Sequence, residues 1–208
     1  MFEFVTQLYD VNNLILWGGY LIIAIIIFSE TGLLIGFFLP GDSLLVTAGL
    51  FAAKGDLNII LLNLILIPAA VIGDALNYRF GFKVGGALFK REDSRFFKKK
   101  HVIKAKNFYE KHGGKTIIIA RFVPVVRTFA PMVAGIAEMK YRKFFLFNVI
   151  GATLWIITMT MAGYLLGSLI PNIDKNITYV ALAVIVISFI PLIVEYFRHR
   201  KKKNEIKN

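Results

Sequence analysis

The chain has 208 residues, of which 57% are hydrophobic, and its mean hydropathy is +0.65. Apolar runs this long and this frequent exclude a soluble domain and predict an integral membrane protein. The sequence contains no cysteine, which excludes disulfides and thiolate metal sites, and its net charge of +12 comes without any RNA-binding or zinc-finger motif.

Most lysine and arginine residues fall in three clusters. Of the 25, twelve lie in Arg79–Lys115, three in Lys140–Lys143 and six from Arg198 onward, whereas the first 53 residues contain none. Under the positive-inside rule, such clusters mark cytoplasmic segments beside anionic lipid headgroups. The carboxyl terminus is therefore predicted to be cytoplasmic, and so is the amino terminus if 31–52 is a hairpin rather than a span.

Six apolar segments can be marked along the chain. The amino terminus before the first of them lacks a basic region, and no small-residue cleavage site follows, so it is expected to be retained rather than removed as a signal peptide. If the three basic clusters are all cytoplasmic, some segments cross the membrane and others enter and leave it on one side. In chain order the segments are 11–28, 31–52, 59–80, 116–137, 144–169 and 177–197.

Segment 31–52 carries a turn signal near its centre. Pro40 and Gly41 interrupt the apolar run, and Glu30 precedes it. Because the next segment is expected to cross from the outside to a basic cluster, 31–52 is predicted as a re-entrant hairpin that enters from the outer face, with its break at Pro40 and Gly41. A spanning 31–52 with an external amino terminus fits nearly as well, since no basic residue precedes this segment.

Segment 116–137 contains ARFVPVVRT, which places Arg121 and Arg127 inside an apolar run. An arginine at the bilayer centre costs about 2.5–3.5 kcal/mol, so two of them require a wet cavity, a counter-charge or an anionic ligand. Pro124 and Pro131 disfavour a straight helix. The segment is predicted as a second re-entrant hairpin, broken at these prolines, whose irregular backbone lies against protein or water rather than lipid.

The two hairpins resemble one another. FLPGDSLLVTAGLFA aligns with FVPVVRTFAPMVAGIAE with a short insertion, and each is followed by a long span with a face of small and polar residues. Weak internal similarity with opposite orientation is typical of inverted-repeat transporters, and chance similarity between apolar segments is the alternative. The matched pairs are Phe38 with Phe122, Pro40 with Pro124, and Ala48-Gly49 with Ala134-Gly135, and the polar faces hold Gly73, Asp74 and Asn77, then Asn148, Gly151 and Trp155.

These features predict an all-α integral membrane protein with an inverted-repeat transporter-like fold, two opposed re-entrant hairpins and about four transmembrane helices. A single membrane domain covers 1–208. Its first half-repeat is predicted at 11–82, a basic cytoplasmic linker at 83–115, the second half-repeat at 116–197 and a basic cytoplasmic tail at 198–208.

If the two hairpins meet, Glu30 and Asp42 from the outside face Arg121 and Arg127 from the inside. These charges either neutralise each other as buried ion pairs that hold the hairpins together, or form a site for a charged substrate. Arginine presents a planar fork of donors suited to phosphate, so the two arginines are the predicted phosphate-binding residues. The two carboxylates are predicted to carry protons, because an acid that loses its arginine to a ligand stays partly desolvated without a counter-charge.

Other polar residues are predicted to support this site. Asn77 and Tyr78 are candidate supporting residues. Asp74 is either a third titrating group or a polar contact between helices. Small residues at four-residue spacing, such as Gly73 and Gly163, predict close helix contacts. No metal or cofactor is expected, because the three histidines lie in basic stretches without ligand spacing.

The sequence resembles the DedA membrane proteins, which are related to the eukaryotic VTT-domain, or SNARE-associated Golgi, proteins. The matching elements run over most of the chain and are Glu30 followed by GFFLPGDSLL, then GDALNYRFGFKVGG, ARFVPVVRTFAPMVAG, FNVIGATLW and GYLLG. By this resemblance, Glu30, Asp42, Arg121 and Arg127 take the positions of the family's essential acids and arginines, with Asp42 where Glu is frequent.

The resemblance implies lipid transport. Bacterial members translocate the lipid carrier undecaprenyl phosphate for reuse in cell-envelope synthesis, with dependence on proton motive force, and eukaryotic relatives scramble phospholipids. The chain is accordingly predicted to be a flippase of the bacterial inner membrane, without enzymatic activity or nucleic-acid binding. Its predicted partner is an anionic membrane lipid, a polyprenyl phosphate or a phospholipid, and a homo-oligomer is compatible with the sequence.

Four alternatives belong to other functional classes. They are a general phospholipid scramblase, a proton-coupled small-ion transporter, an enzyme acting on lipid phosphates and a structural membrane protein whose charges only assemble it. The enzyme would need a nucleophile or a metal set, and no histidine or cysteine lies in the apolar segments. Paired arginines disfavour a cation path.

Overall fold

The computed structural model describes residues 11–33, 41–89, 107, 109 and 113–169. All regular secondary structure within these residues is helical, in agreement with the all-α prediction. The helices, in chain order, are α1 (Val11–Gly32), α2 (Gly41–Ala53), α3 (Ile59–Phe89), α4 (Lys115–Ala120), α5 (Pro124–Ile136) and α6 (Tyr141–Leu169).

The chain divides into two compact units. The first consists of Met1–Leu39 and Ile60–Thr158, and the second of Pro40–Ile59 and Met159–Asn208. The first unit therefore contains α1, α4, α5, nearly all of α3 and the larger part of α6. The second contains α2 and the end of α6. The division into two half-repeats stays a prediction.

Two helices of the described residues, α3 and α6, are long and apolar enough to cross a membrane. The apolar part of α3 has 27 residues and α6 has 29. At about 1.5 Å per residue, each exceeds the roughly 30 Å of a bilayer's hydrocarbon core. Of the other two predicted spans, 11–28 lies in α1, whose apolar part at Gly18–Gly32 is shorter, and 177–197 lies outside the described residues.

Large apolar side chains cover the outward faces of α3 and α6. On α3, Ile60 and Leu64 are 69% and 65% exposed, while Asp74 and Asn77 on the same helix are buried. Leucine and isoleucine gain nothing by withdrawing from hydrocarbon, whereas polar groups do. Apolar side chains on the outside and polar side chains on the inside are the distribution expected of helices surrounded by lipid.

Glycines let the helices of the first unit approach closely. A Cβ added to Gly73 of α3 would lie 2.9 Å from the carbonyl oxygen of Phe28 on α1. One added to Gly81 of α3 would lie 2.8 Å from the carbonyl carbon of Met132 on α5. Both contacts are too close for a side chain, so the close helix contacts predicted from small residues are confirmed here.

α4 and α5 fold back on each other around a break at 121–123. Ile117 of α4 and Ala134 of α5 belong to one buried cluster, together with Tyr78, Tyr109 and Phe144. The beginning of α4 and the end of α5 therefore reach the same place, as in a helical hairpin. Its re-entry into a membrane stays a prediction.

Tyr109 ties the chain before this hairpin to α5. Its hydroxyl donates to the carbonyl of Ala130 at 3.0 Å. Burial raises the pKa of Tyr109 to about 12, so the hydroxyl keeps its proton and remains a donor at neutral pH.

The prediction that Pro131 breaks the hairpin is wrong. α5 runs through Pro131 and ends at Ile136. A proline removes one helical hydrogen bond and can bend a helix without ending it, and buried Ala130 and Ala134 hold the turns on either side. Pro124, in contrast, stands at the first position of α5, where a missing N–H costs nothing.

α5 ends on a left-handed residue that is not glycine. Glu138 has a φ of 56°, and the N–H groups of Glu138 and Met139 donate to the carbonyls of Gly135 and Ala134, both at 3.0 Å. This bonding pattern is a Schellman motif, in which glycine usually takes the left-handed position because a Cβ is disfavoured there. Glu138 therefore carries local strain.

In the second unit, α2 packs against the end of α6. α2 begins at Gly41, and Asp42 lies in its first turn, where a negative charge is favourable. Pro40, the other predicted break residue, lies outside the described residues. A Cβ added to Gly163 of α6 would lie 3.0 Å from the Cα of Val46 on α2, which confirms the predicted close contact of Gly163.

Candidate functional site

Arg121 lies at the break between α4 and α5. It caps the carboxyl end of α4, and Val123 is extended, with φ −114° and ψ 106°. The ring of a proline drives the preceding residue out of the helical region, so Pro124 explains why α4 stops and α5 starts afresh. Arg121 is nevertheless buried, with 4% of its surface exposed.

Two polar side chains from other helices hold the guanidinium of Arg121. Its Nη2 donates to the carboxylate of Asp74 on α3 and to Oδ1 of Asn148 on α6. The Nδ2 of Asn148 donates in turn to the carbonyl of Val71 at 3.1 Å. Gly151 makes room for the arginine, since a Cβ there would lie 3.2 Å from its Cδ. A buried ion pair persists when such further hydrogen bonds satisfy it.

The second ion pair joins Arg127 to Glu30. Arg127 lies at the first turn of α5, and its Nη2 donates to the carboxylate of Glu30 near the end of α1. The two side chains are 10% and 2% exposed. Each charge stands at the unfavourable end of its helix, because helix starts disfavour cations and helix ends disfavour anions. Pairing neutralises both.

One indole ring faces both arginines. Trp155 of α6 is buried, and its ring centroid lies 5.8 Å from Cζ of Arg121 and 4.8 Å from Cζ of Arg127. Cation–π contacts of this kind contribute about 0.5–2 kcal/mol, with the larger values where water is excluded. The ring of Trp155 therefore stabilises two positive charges that lie close together.

Asn77 connects the helices that carry the second ion pair. Its Nδ2 donates to the carbonyl of Thr31 on α1 at 3.2 Å and to that of Thr128 on α5 at 2.8 Å. Thr31 directly follows Glu30, and Thr128 directly follows Arg127. Asn77 thus fixes the spacing of the charged residues through the backbone.

Tyr78 contributes to packing rather than to the ion pairs. Its hydroxyl donates to the carbonyl of Met139, and its ring stacks on Phe144 with the centroids 4.4 Å apart. Tyr78 therefore anchors the turn between α5 and α6.

The acid that pairs with Arg121 differs from the expectation. The sequence predicted that Glu30 and Asp42 face the two arginines, and it gave Asp74 a supporting role at most. Asp74 forms the ion pair with Arg121, whereas Asp42 lies in the second unit.

Sequence reasoning missed the roles of Asn148 and Trp155. Both were noted on the polar face of their segment, together with Gly151, but neither was assigned to the site. They are seven residues apart on α6 and therefore point to one side of the helix. This seven-residue spacing, in the span that follows a segment with two arginines, was the sequence feature that could have assigned both residues to the site.

The donors of this site suit an anion. Among the described residues there is no group of three or more histidine, aspartate or glutamate side chains that could hold a metal ion. Two guanidinium groups offer planar forks of N–H donors, which match the oxygens of a phosphate or carboxylate.

The fold and the site define a helical membrane protein with a buried, charge-paired arginine site. The chain matches the VTT domain family over residues 39–165. It is 47% identical to Protein DedA of Escherichia coli (strain K12) over 184 residues, which cover 88% of this chain and 84% of that protein. The chain belongs to the DedA family of membrane proteins, as its sequence motifs predicted.

Other relatives are also named as membrane proteins. The chain is 44% identical over 185 residues to the uncharacterized membrane protein Rv0364 of Mycobacterium tuberculosis, with 88% of this chain and 81% of that protein covered. It is 34% identical over 148 residues to inner membrane protein YqjA of Escherichia coli (strain K12), with 71% and 67% covered. No solved structure matches the chain. The protein is thus a membrane protein, and the orientation of its termini stays a prediction.

Proposed function

We propose that the protein is a flippase that translocates a polyprenyl phosphate, such as undecaprenyl phosphate, across the bacterial inner membrane for reuse in cell-envelope synthesis. Transport depends on proton motive force, and the protein acts as a transporter rather than as an enzyme. The observation that carries this proposal is a pair of buried arginines, Arg121 and Arg127, which share one indole ring and are each neutralised by a carboxylate from another helix.

A phosphate would complete the hydrogen bonding of this site. The buried Nε of Arg121 has no hydrogen-bond partner among the described residues. A buried donor without a partner costs about 1–3 kcal/mol, which a phosphate oxygen would recover. The start of α5, beside Arg127, adds a favourable dipole for an anion.

The carboxylates compete with phosphate for the same guanidinium donors. When phosphate takes Arg127, Glu30 loses its counter-charge while it remains buried, and an ionised carboxylate is costly there. Glu30 then takes up a proton, and release of the lipid restores the ion pair and expels that proton. Glu30 and Asp42 are the proposed proton carriers, and Asp74 joins them because it pairs with Arg121.

The proposed architecture is an inverted repeat with two opposed re-entrant hairpins and both termini in the cytoplasm. The folded-back pair α4 and α5 supports the second hairpin. α3 and α6 are antiparallel, because Val71 meets Asn148 whereas Tyr78 meets Phe144. Successive crossings in opposite directions require this arrangement.

Lipid translocation in proteoliposomes tests the phosphate site. Arg121→Lys and Arg127→Lys keep the charge but lose the planar fork. We expect each to move polyprenyl phosphate about tenfold more slowly, the size expected from one lost charge-assisted hydrogen bond. Arg142→Lys, at an exposed position of α6, is the matched control and should keep the original rate. Wild-type rates in the doubly substituted protein would contradict the proposal.

The coupling is tested with neutral substitutions of the acids. Glu30→Gln and Asp42→Asn should keep some lipid binding but lose acceleration by an imposed pH gradient, whereas the arginine variants should lose binding itself. If the double variant responds to the gradient as the wild type does, these acids are not proton carriers. Gradient-independent movement of many phospholipids by the wild type would favour a general scramblase.

A further inference from the structure

We infer that a groove between α3 and α6 binds an anionic phospholipid of one leaflet, at a site separate from the two ion pairs. The groove has a volume of about 460 Å³. Its lining is apolar except at one end, where Arg79 and Tyr141 lie. The apolar lining includes Pro68, Val71, Ile72, Leu76, Phe145 and Val149.

The length of the groove matches one leaflet. Ile67 and Arg79 mark its two ends on α3, twelve residues apart. At about 1.5 Å per residue this distance is roughly 18 Å, which is close to half of a hydrocarbon core of about 30 Å. The groove therefore fits one acyl chain of a phospholipid, whereas a polyprenyl chain is several times longer.

The polar end of the groove has the chemistry of a headgroup site. Cζ of Arg79 lies 5.9 Å from the ring centroid of Tyr141, and both side chains are exposed. Arg79 makes no ion pair with the carboxylates of the described residues, and its planar fork of donors suits a phosphate. Tyrosine and arginine are also the side chains that prefer the headgroup region of a bilayer.

Charge complementarity selects an anionic lipid. Arg79 opens the basic cluster 79–115, and Tyr141 lies within the cluster 140–143. Lys83 and Arg142, near this end of the two helices, are exposed as well. A zwitterionic headgroup would bring a second cation into this basic surrounding, whereas phosphatidylglycerol brings only its phosphate.

Lipid titration followed by native mass spectrometry tests the inference. The full chain, purified in detergent and stripped of lipid, is titrated with phosphatidylglycerol or phosphatidylcholine. Arg79→Gln removes the headgroup contact and Ala75→Phe fills the groove, in which Ala75 lies. The controls are Lys54→Gln, which lies outside the three basic clusters, and Leu146→Phe, at an exposed position outside the groove lining.

We expect the wild type to bind one phosphatidylglycerol at least about tenfold more tightly than phosphatidylcholine, the size of a charge-assisted contact. Arg79→Gln should abolish this preference, and Arg79→Lys should keep part of it. Ala75→Phe should weaken the binding of both lipids. The controls should match the wild type. The inference fails if Arg79→Gln binds the two lipids as Lys54→Gln does. It also fails if Ala75→Phe changes the oligomeric mass while the wild type retains no lipid, since the groove would then hold a second copy of the chain. Neither result depends on polyprenyl phosphate transport.

Discussion

The charged residues of the first unit depend on one another. The side chains of Arg121 and Asp74 are 4% and 5% exposed, so water cannot solvate either charge in the absence of its partner. Removing one partner of such a pair leaves an uncompensated buried charge, which is worse than removing both.

Asp74→Asn should therefore destabilise the protein by about 3–5 kcal/mol. Thermal unfolding in detergent would measure the loss. Asp56→Asn is the control, because Asp56 is 54% exposed and lies 3.7 Å from its partner Lys54, a geometry that contributes at most about 1 kcal/mol. The double variant Asp74→Asn/Arg121→Gln should recover much of the stability. If it is as unstable as Asp74→Asn alone, the charge imbalance is not the cause.

Trp155→Leu should weaken phosphate binding, because it removes the ring that both guanidiniums share. A lost cation–π contact of about 0.5–2 kcal/mol corresponds to a change in affinity of about 2- to 30-fold. Binding of a short-chain polyprenyl phosphate in detergent would measure it. Phe144→Leu is the control, since Phe144 is equally buried but packs on Tyr78 and Tyr141. Equal affinities in the two variants would limit Trp155 to a packing role.

The identity of the site residues was only partly accessible from sequence. Arg121, Arg127 and Glu30 stand out because a charge inside an apolar run demands a partner. Which acid meets which arginine depends on how each helix is rotated and how far it extends, and periodicity alone does not supply this. α1 runs on to Gly32 instead of ending at 28, and this extension places Glu30 on a helix.

At the scale of helices, sequence signals worked best where backbone chemistry is local. Pro124 ends α4 through its effect on the residue before it. α5 continues through Pro131, because packing that no local sequence pattern reveals supports the helix there. The left-handed position of Glu138 was not foreseen either, because glycine is the usual marker of such an ending.

Glu138→Gly should stabilise the protein, because glycine adopts the left-handed conformation without a Cβ penalty. Relief of about 1 kcal/mol is expected, and it should raise Tm by about 2–4 °C in a chain of this size. Glu138→Ala keeps a Cβ and should leave Tm unchanged. Equal gains in both variants would mean that the carboxylate, and not the backbone conformation, is unfavourable.

At the scale of the whole molecule, the uneven distribution of basic residues predicts the topology. Because the chain contains no cysteine, single introduced cysteines can be labelled without background. Asp56→Cys should react with an impermeant maleimide added outside cells, and Lys100→Cys only after the membrane is opened. The reverse pattern would overturn the predicted orientation.

The two ion pairs leave the buried site with no net charge, since two guanidiniums are balanced by Glu30 and Asp74. A phosphate monoester that enters brings between one and two negative charges, and unbalanced charge is costly in surroundings of low dielectric constant. Each negative charge that enters should therefore be matched by a proton on a carboxylate, which would make the proposed transport cycle electroneutral. The translocation rate in proteoliposomes should increase with an imposed proton concentration difference. It should not change with a potassium diffusion potential set with valinomycin. Acceleration by voltage alone would mean that the lipid crosses with its charge unmatched.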